Sequence, residues 1–236
     1  MKVLIIIPAH NEADSLPAVV ANLRQHRGDA EILIVDDGSM DETQAVVERL
    51  RVSCLRMGSG IGVGGAMRAG FRYAAEHGFQ LVVRLDGDGQ HDARSVDALL
   101  APLARGAADV VRGSRYLGEA TYHAVGVRRV GQRIVARLLS AITGEVVTDP
   151  TSGFWAFGPR AIRLLARHHP MGYPEPELLL LLHKNGLKTV EMPVQMRERF
   201  AGRTTLRGAR TALATAHVLL ALIVVPLRPV VERSRP

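Results

Sequence analysis

Short apolar runs alternate with stretches of helical periodicity through the first half of the chain. The runs at 3–7 and 31–35 are continuous and rich in β-branched residues, which is typical of strands buried on both faces of a parallel sheet. Between them, Leu16, Val19 and Leu23 recur at the spacing of one helix face. This alternation predicts a doubly wound α/β domain with right-handed crossovers. The predicted strands are 3–7, 31–35, 52–56 and 79–85, and the predicted helices are 12–25, 41–50 and 65–77.

The second half of the chain is less regular but contains the same kinds of element. A helix is predicted at 159–168 because it begins with proline, which is favoured in a first turn. Five consecutive leucines predict a buried helix over 177–184. The remaining predictions are a strand at 109–113, a helix at 128–142, strands at 151–157 and 187–192, and a polar loop at 197–205. We therefore expect one domain over 1–205, followed by a tail over 206–236.

The tail has the most unusual composition in the chain. Residues 211–227 contain no charged side chain, and arginines stand on both sides of them, at Arg207, Arg210 and Arg228. As a helix this segment would be roughly 25 Å long, just short of a bilayer core. It is either a helix packed on protein or an apolar helix at a membrane interface with arginine anchors. We favour the membrane interface.

Charge and composition narrow the class of partner. The net charge is +7, and only three of the 30 basic residues are lysines. An excess of arginine suits phosphate ligands, anionic lipid or nucleic acid, because the planar guanidinium binds phosphate through two hydrogen bonds. Aromatic residues make up 4%, too few for base stacking, so no nucleic-acid partner is expected. The lone Cys54, expected to be buried, excludes a disulfide framework.

Polar residues follow three of the predicted strands. The segments 8–12, 36–39 and 86–92 come directly after strands, and the carboxyl ends of parallel strands share the edge where ligands bind. The last segment packs three aspartates into seven positions, and like charges so close together require a cation. Mg²⁺ and Mn²⁺ accept carboxylates and complete their shell with water and substrate phosphate. The alternative is a surface turn rich in aspartate and glycine.

Two further features concern a nucleotide. Asp37 ends the second strand, where a carboxylate can accept hydrogen bonds from a base or ribose. The alternative is a turn in which Ser39 or Asp41 caps the next helix. The glycine-rich segment 58–65 matches G-x-G-x-x-G but follows the third strand, so a dinucleotide site is not expected. We interpret it as a close approach of backbone to ligand, followed by Arg68.

Taken in order, six segments of the chain resemble the family 2 glycosyltransferases. They are Ile7-Pro-Ala-His-Asn-Glu12, Val35-Asp-Asp-Gly-Ser39, Gly62-Val-Gly-Gly-Ala66, Leu85-Asp-Gly-Asp-Gly-Gln90, Gly113-Ser-Arg-Tyr116 and Asp149-Pro-Thr-Ser-Gly-Phe154. The catalytic domain of that family has the GT-A fold. Within the family the chain is most similar to the polyprenyl-phosphate sugar synthases, typified by dolichyl-phosphate mannose synthase. The resemblance runs from residue 3 to about 205, so this range is expected to be a GT-A glycosyltransferase domain.

The resemblance implies a donor site with a metal ion. The residues that would hold the nucleotide sugar are Pro8, Ala9, Glu12, Asp37 and Asp86, with Arg68 added from the glycine-rich segment. Asp86, Asp88 and Gln90 would hold Mg²⁺ or Mn²⁺ together with the diphosphate. In an inverting single displacement, a divalent ion and arginines stabilise the negative charge that builds on the leaving nucleotide.

The resemblance also implies a site for an acceptor phosphate. Its residues would be Arg115, Arg128, Gln132, Arg203 and Thr204, with Gln132 standing where relatives carry serine. The loop 197–205 resembles a segment that closes over phosphates, which makes Arg199 a catalytic candidate beside Asp88. A phosphate monoester is already anionic near neutral pH and scarcely needs a general base, whereas a hydroxyl acceptor does. Asp149 is the candidate base, or else a turn residue ahead of Pro150.

Together these expectations describe a metal-dependent inverting glycosyltransferase. It would move a sugar from a GDP- or UDP-sugar to dolichyl or undecaprenyl phosphate at the cytoplasmic face of a membrane, held there by the tail or a small membrane-protein partner. One alternative is a family 2 enzyme with a sugar or small-molecule hydroxyl as acceptor. Another is a nucleotidyltransferase or nucleotide-binding regulator on a similar sheet, which leaves the loop 199–205 without a role.

Overall fold

One seven-stranded sheet organises the protein, for which the computed structural model describes residues 1–58, 60–117, 127–171 and 174–197. The strands are β1 (Val3–Ala9), β2 (Glu31–Asp36), β3 (Ser53–Arg56), β4 (Leu81–Arg84), β5 (Val110–Ser114), β6 (Trp155–Phe157) and β7 (Thr189–Pro193). Their order in the sheet is β3-β2-β1-β4-β6-β5-β7. Only β6 runs against its neighbours, β4 and β5, so the expected mostly parallel α/β sheet is confirmed.

Seven α-helices among the described residues cover the two faces of this sheet. They are α1 (Leu16–His26), α2 (Thr43–Leu50), α3 (Gly62–Glu76), α4 (Val96–Ala104), α5 (Val127–Thr143), α6 (Pro159–His168) and α7 (Pro174–Lys184). Alternate residues of the central strand β1 serve the two cores: Leu4 and Ile6 face α3, α5, α6 and α7, while Ile5 and Ile7 face α1, α2 and α4. Each such isoleucine, fully buried, contributes about 1.5–3 kcal/mol.

The topology places a ligand-binding edge at β1 and β4. The chain builds β2 and β3 on one side of β1 and then returns to β4 on its other side. This reversal of strand order opens a crevice beyond the carboxyl ends of the strands. The loop after β1 and the loop after β4 both border that crevice, as their sequences predict.

The structure corrects several sequence predictions. The strand expected at 151–157 is only Trp155–Phe157, because the preceding residues form a polar loop at the ligand-binding edge. The helix α4 has no counterpart in the sequence predictions. Cys54 is exposed instead of buried, because β3 is an edge strand with alternating exposure.

The expected tail at 206–236, with its apolar helix, lies outside the described residues, as does most of the loop 197–205. Within the described ranges, no helix combines the length and apolarity needed to cross a bilayer.

Candidate active site

The side of the crevice next to the glycine-rich turn is held together by Asp37. Its two carboxylate oxygens accept hydrogen bonds from the backbone N–H groups of Ile61 and Gly62, each at 2.8 Å, at the start of α3. Its own backbone N–H donates to the carbonyl of Ala9 at 2.8 Å, and His10 Nδ1–H donates to its carbonyl at 3.0 Å. A carboxylate is favoured at a helix N-terminus by the macrodipole. Asp37 therefore joins the ends of β1 and β2 to the glycine-rich turn before α3.

The loop after β1 packs directly on the loop after β4. Glu12 Oε2 accepts a hydrogen bond from Ser15 Oγ at 2.6 Å, and the Glu12 N–H donates to Thr43 Oγ1 at 2.9 Å. A Cβ atom on Gly87 would stand 3.4 Å from Glu12 Cγ and 3.5 Å from the carbonyl oxygen of Pro8. Pro8 and Glu12 thus adjoin the aspartate loop.

The neighbouring Asp36 and Asp41 form a turn, which is the alternative interpretation of this segment. Asp36 Oδ1 accepts the backbone N–H of Ser39 at 3.0 Å, and Asp41 Oδ1 accepts that of Thr43, also at 3.0 Å. These local bonds close the turn and begin α2. Asp36 and Asp41 therefore form the turn, while Asp37 binds the start of α3.

Two of the three aspartates after β4 face the crevice, and we call residues 86–88 the DGD segment. Asp86 Oδ1 lies 3.3 Å from Arg84 Nη2. Asp88 is buried, and its Oδ1 accepts the backbone N–H of Gln90 at 3.0 Å. Asp92 instead turns away to pair with Arg94 and Arg197. The expected cluster of three carboxylates is therefore a pair.

Electrostatics keep Asp86 ionised and His91 neutral. Burial opposes the charge of Asp86, but the nearby Arg84 outweighs it and lowers the pKa of this carboxyl. Burial also lowers the pKa of His91, against the opposing effects of Asp86 and Asp88. The His91 ring stacks on Phe154, accepts the Asp86 N–H at Nδ1 and presents Nε2 to Asp86 Oδ2 at 3.8 Å. A negative, hydrogen-bonded group thus faces the crevice.

The DGD segment has the donor chemistry of a site that shares its ion with a substrate. In the described residues, no group of three or more His, Cys, Asp or Glu side chains could hold a metal ion unaided. Two carboxylates with the nearby Gln90 supply hard oxygen donors but not a full shell, and Mg²⁺ and Mn²⁺ complete such shells with phosphate and water. The site is also tightly bounded, because a Cβ atom on Gly153 would stand 2.5 Å from Asp86 Oδ2.

A second cluster forms where the loop before β6 meets the end of β5. Arg115 pairs with Asp149 through two contacts, Nε–Oδ2 at 2.6 Å and Nη2–Oδ1 at 2.7 Å. Arg115 Nη2 also donates to Thr151 Oγ1 at 2.9 Å, which in turn accepts Gln132 Nε2 at 2.9 Å. The Tyr116 hydroxyl donates to Gln132 Oε1 at 3.0 Å. The structure thus brings Arg115, Gln132 and Asp149 together.

A buried layer beneath this cluster was not predicted from the sequence. Arg112 Nη2 pairs with Glu191 Oε1 at 3.1 Å, and Glu191 Oε2 accepts Thr148 Oγ1 at 2.7 Å. Thr148 Oγ1 lies 2.5 Å from Ser114 Oγ. This layer fixes the loop that carries Asp149. A signal was present, because Arg112 lies within the strand predicted at 109–113 and a buried guanidinium requires an anion.

The comparison with protein families agrees with this arrangement. The model described as glycosyl transferase family 2 matches residues 4–163, which include the loops after β1, β2 and β4 and the cluster around Arg115. The chain belongs to glycosyl transferase family 2.

Relatives of this family 2 chain include three enzymes whose names contain a polyprenyl lipid. The polyprenol monophosphomannose synthase of Mycolicibacterium smegmatis is 31% identical, covering 88% of this chain and 82% of that protein. The undecaprenyl-phosphate mannosyltransferase of Micrococcus luteus is 30% identical, covering 92% and 93%. The UDP-N-acetylglucosamine–dolichyl-phosphate N-acetylglucosaminyltransferase of Methanococcus voltae is 30% identical, covering 82% and 84%.

Solved structures show the same fold for this family 2 chain. Glucosyl-3-phosphoglycerate synthase from Mycobacterium tuberculosis, in complex with phosphoglyceric acid, superimposes with a TM-score of 0.73 at 21% identity, covering 97% of this chain and 81% of that one. The same enzyme in complex with Mn²⁺, uridine diphosphate and glucosyl-3-phosphoglycerate gives a TM-score of 0.71. The GT-A architecture implied by the sequence resemblance is therefore the fold of this chain.

Some predicted site residues are not placed by the structure. Arg68 lies on α3 with its side chain exposed. Arg128 is the second residue of α5, and its side chain lies outside the described part of the chain. Arg199, Arg203 and Thr204 also lie outside the described residues. Their proposed roles stand on the sequence resemblance.

Proposed function

We propose that this glycosyltransferase moves a sugar from a nucleotide diphosphate to the phosphate of a polyprenyl phosphate. The observation that carries the proposal is the juxtaposition of the DGD segment with the Arg115 cluster. Gly153 touches Asp86, and Thr151, two residues earlier, binds Arg115 and Gln132. Sites for a diphosphate with its metal and for an acceptor phosphate therefore share one crevice. The names of the three relatives support this acceptor class.

The donor half binds the nucleotide and stabilises its departure. Pro8, Ala9, Glu12 and Asp37 border the space for the nucleotide, and Asp86, Asp88 and Gln90 hold Mg²⁺ or Mn²⁺ with the diphosphate. Arg68 contacts the donor from α3. The ion supplies positive charge where the leaving diphosphate becomes more negative. Mn²⁺ in the structural neighbour with uridine diphosphate supports this assignment.

The acceptor half orients an anion that is already nucleophilic. Arg115 and Gln132 face the acceptor phosphate, joined by Arg128, Arg203 and Thr204, while Arg199 supports the leaving group. A phosphate monoester needs no general base near neutral pH. Asp149 is fully buried and both of its oxygens bind Arg115. We therefore assign it to holding Arg115 in place, and not to proton transfer.

The outer face of α5 suits contact with an anionic membrane. While Val135 and Leu139 are buried in the core, a second apolar row points outward at every fourth residue. This row, the α5 stripe, consists of Val130, Ile134, Leu138 and Ile142, which are 55%, 51%, 40% and 39% exposed. Exposed Arg133 and Arg137 lie beside it, where their guanidinium groups complement lipid phosphate. Gln132 of the acceptor cluster is on the same helix, so a lipid-borne phosphate would arrive at the site from this surface.

This placement extends to the parts of the chain beyond the described residues. The tail 206–236 adds apolar surface and arginines that suit the same membrane. We place the enzyme on the cytoplasmic face, held by the α5 stripe and the tail, with a small membrane protein as a further anchor. We also propose that the glycosyltransferase domain ends near residue 205.

The purified full chain tests the function directly. A panel of GDP- and UDP-sugars is offered with Mg²⁺ or Mn²⁺ and with undecaprenyl or dolichyl phosphate, and the product is extracted into organic solvent. We expect one donor to label the lipid, and Asp88→Ala to abolish labelling while the protein stays folded. Phosphorylated small molecules and sugar hydroxyls serve as competing acceptors. Transfer to those compounds, with none to either lipid, would overturn the acceptor assignment and leave the family assignment intact.

A further inference from the structure

A buried arginine lies directly behind the DGD segment. Arg84 is the last residue of β4, and only 4% of it is exposed. Its guanidinium is shared by two carboxylates: Nη2 is 3.3 Å from Asp86 Oδ1, and Nη1 is 2.9 Å from Glu175 Oε1. Glu175 lies in the first turn of α7, far from the DGD segment in sequence. One fixed cation therefore faces two anions from different parts of the chain.

The two ends of this triad differ in access. The side chains of Arg84, Glu175 and Asp86 are 5%, 19% and 34% exposed, so Asp86 is the end open to the crevice. The contact with Glu175 is also the shorter of the two. Glu175 thus competes with Asp86 for the charge of Arg84.

We propose that Glu175 acts through Arg84 to set how strongly Asp86 attracts a divalent cation. With Glu175 in place, part of the charge of Arg84 is balanced from behind, and the carboxylate of Asp86 stays available to an ion in the crevice. Without Glu175, Arg84 neutralises Asp86 instead. Both are positioning residues, since neither touches the ion. The inference deepens the proposed function and rests on its metal assignment.

The sign of the effect separates this role from simple structural support. Glu175→Gln leaves Arg84 with Asp86 alone and weakens cation binding, whereas Arg84→Met removes the competing cation and strengthens it. Removing a charge this close to a divalent ion changes its affinity by about tenfold or more, even at an effective dielectric constant of about 20. If the triad only maintained local structure, both variants would lose the same ion pair and both would weaken binding.

The experiment is a Mn²⁺ titration of the full chain, followed by electron paramagnetic resonance of the free ion, with and without UDP or GDP. Glu175→Gln, Arg84→Met and the double variant are compared with wild type, and Glu177→Gln removes a charge from the same helix as a control. Circular dichroism confirms folding. Glu175→Asp, which keeps the charge, serves as the rescue variant and as the comparison if Arg84→Met does not fold.

We expect the dissociation constant for Mn²⁺ to rise about tenfold in Glu175→Gln and to fall about tenfold in Arg84→Met. The double variant and Glu175→Asp should lie close to wild type, and Glu177→Gln should match it. If both single variants shift the dissociation constant in the same direction, this inference is wrong and the metal assignment stands. The same holds if neither variant shifts it although the wild type binds Mn²⁺. A wild type that binds no Mn²⁺ with either nucleotide would overturn the metal assignment as well. The lipid-labelling assay tests the transfer reaction independently.

Discussion

Replacing Asp149 by asparagine tests whether this residue holds Arg115 or accepts a proton. The side chain of Asp149 is 0% exposed and that of Arg115 is 9% exposed, so solvent cannot replace the lost partner. Removing one member of a buried ion pair costs about 3–5 kcal/mol. Asparagine keeps one carbonyl acceptor for the guanidinium, so we expect Asp149→Asn to lower the free energy of unfolding by about 3 kcal/mol, near the bottom of that range.

Urea denaturation of Asp149→Asn, Arg115→Met and the double variant measures the coupling between the two residues. Because they share two short contacts, the coupling free energy should be about 2–3 kcal/mol. The surface pair of Arg27 with Asp97, whose carboxylate side chain is 74% exposed, provides the matched control. Asp97→Asn should cost less than about 1 kcal/mol. A coupling below about 0.5 kcal/mol for the buried pair would refute the reasoning.

Kinetics distinguish the two roles independently of stability. If Asp149 positions Arg115, then Asp149→Asn raises the KM for the acceptor more than the KM for the donor. The acidic limb of the plot of kcat against pH then keeps its position. If Asp149 is a general base, the variant loses about 10²–10⁴ in kcat, and the acidic limb disappears. The second result would restore the hydroxyl-acceptor alternative.

Three further perturbations test other parts of the structure. Gly153→Ala would place a methyl 2.5 Å from a carboxylate oxygen of the DGD segment, so we expect Mn²⁺ affinity and transfer to fall together, measured by titration and by lipid labelling. Ile134→Glu with Leu138→Glu should reduce flotation with phosphatidylglycerol vesicles by about tenfold or more, while Met40→Glu, at a 93% exposed site elsewhere, should not. Burial lowers the pKa of His169 from 6.5 to about 4. As pH falls below 6.5, the unfolded chain therefore binds a proton at this histidine more readily than the folded chain does. The free energy of unfolding should decrease by about 3 kcal/mol between pH 7 and pH 4, and His169→Phe should flatten this dependence in urea titrations at each pH.

The sequence predicts those parts of the site that local pattern determines. Continuous apolar runs identify the central strands, and the residues that follow β1, β2 and β4 meet because parallel strands end at one edge. The helix α4 was not predicted because apolar residues occupy nearly all of its own faces and Pro102 lies within it. Its sequence therefore lacks an amphipathic period. The strand predicted at 151–157 was too long, because only the three residues of β6 pair with the neighbouring strands β4 and β5.

The charged layer beneath the site depends on contacts that local pattern does not encode. Glu175 and Glu191 sit on α7 and β7 and reach arginines on β4 and β5. Each arginine was nevertheless visible in the sequence as a charge inside a predicted strand, Arg84 in 79–85 and Arg112 in 109–113. The partner of Arg112 follows from register once the sheet order is known, since Glu191 lies directly opposite it on β7. Sequence reasoning can therefore identify the need for an anion, and topology supplies its position.

Three buried arginines share one design along the edge that receives the substrates. Arg84 is paired with Glu175, Arg112 with Glu191, and Arg115 with Asp149, each carboxylate coming from a later part of the chain. Apolar side chains of similar volume would often stabilise such a core at least as well. Guanidinium groups fixed beneath the crevice do something that apolar groups cannot, because they are desolvated and oriented before a diphosphate or a phosphate arrives. Charge that develops during transfer then meets dipoles and cations that need not reorganise, which is the physical basis of electrostatic catalysis. On this argument Glu191 and Asp149 serve the reaction indirectly, by holding Arg112 and Arg115 in place, whereas Glu175 draws the charge of Arg84 away from the DGD segment.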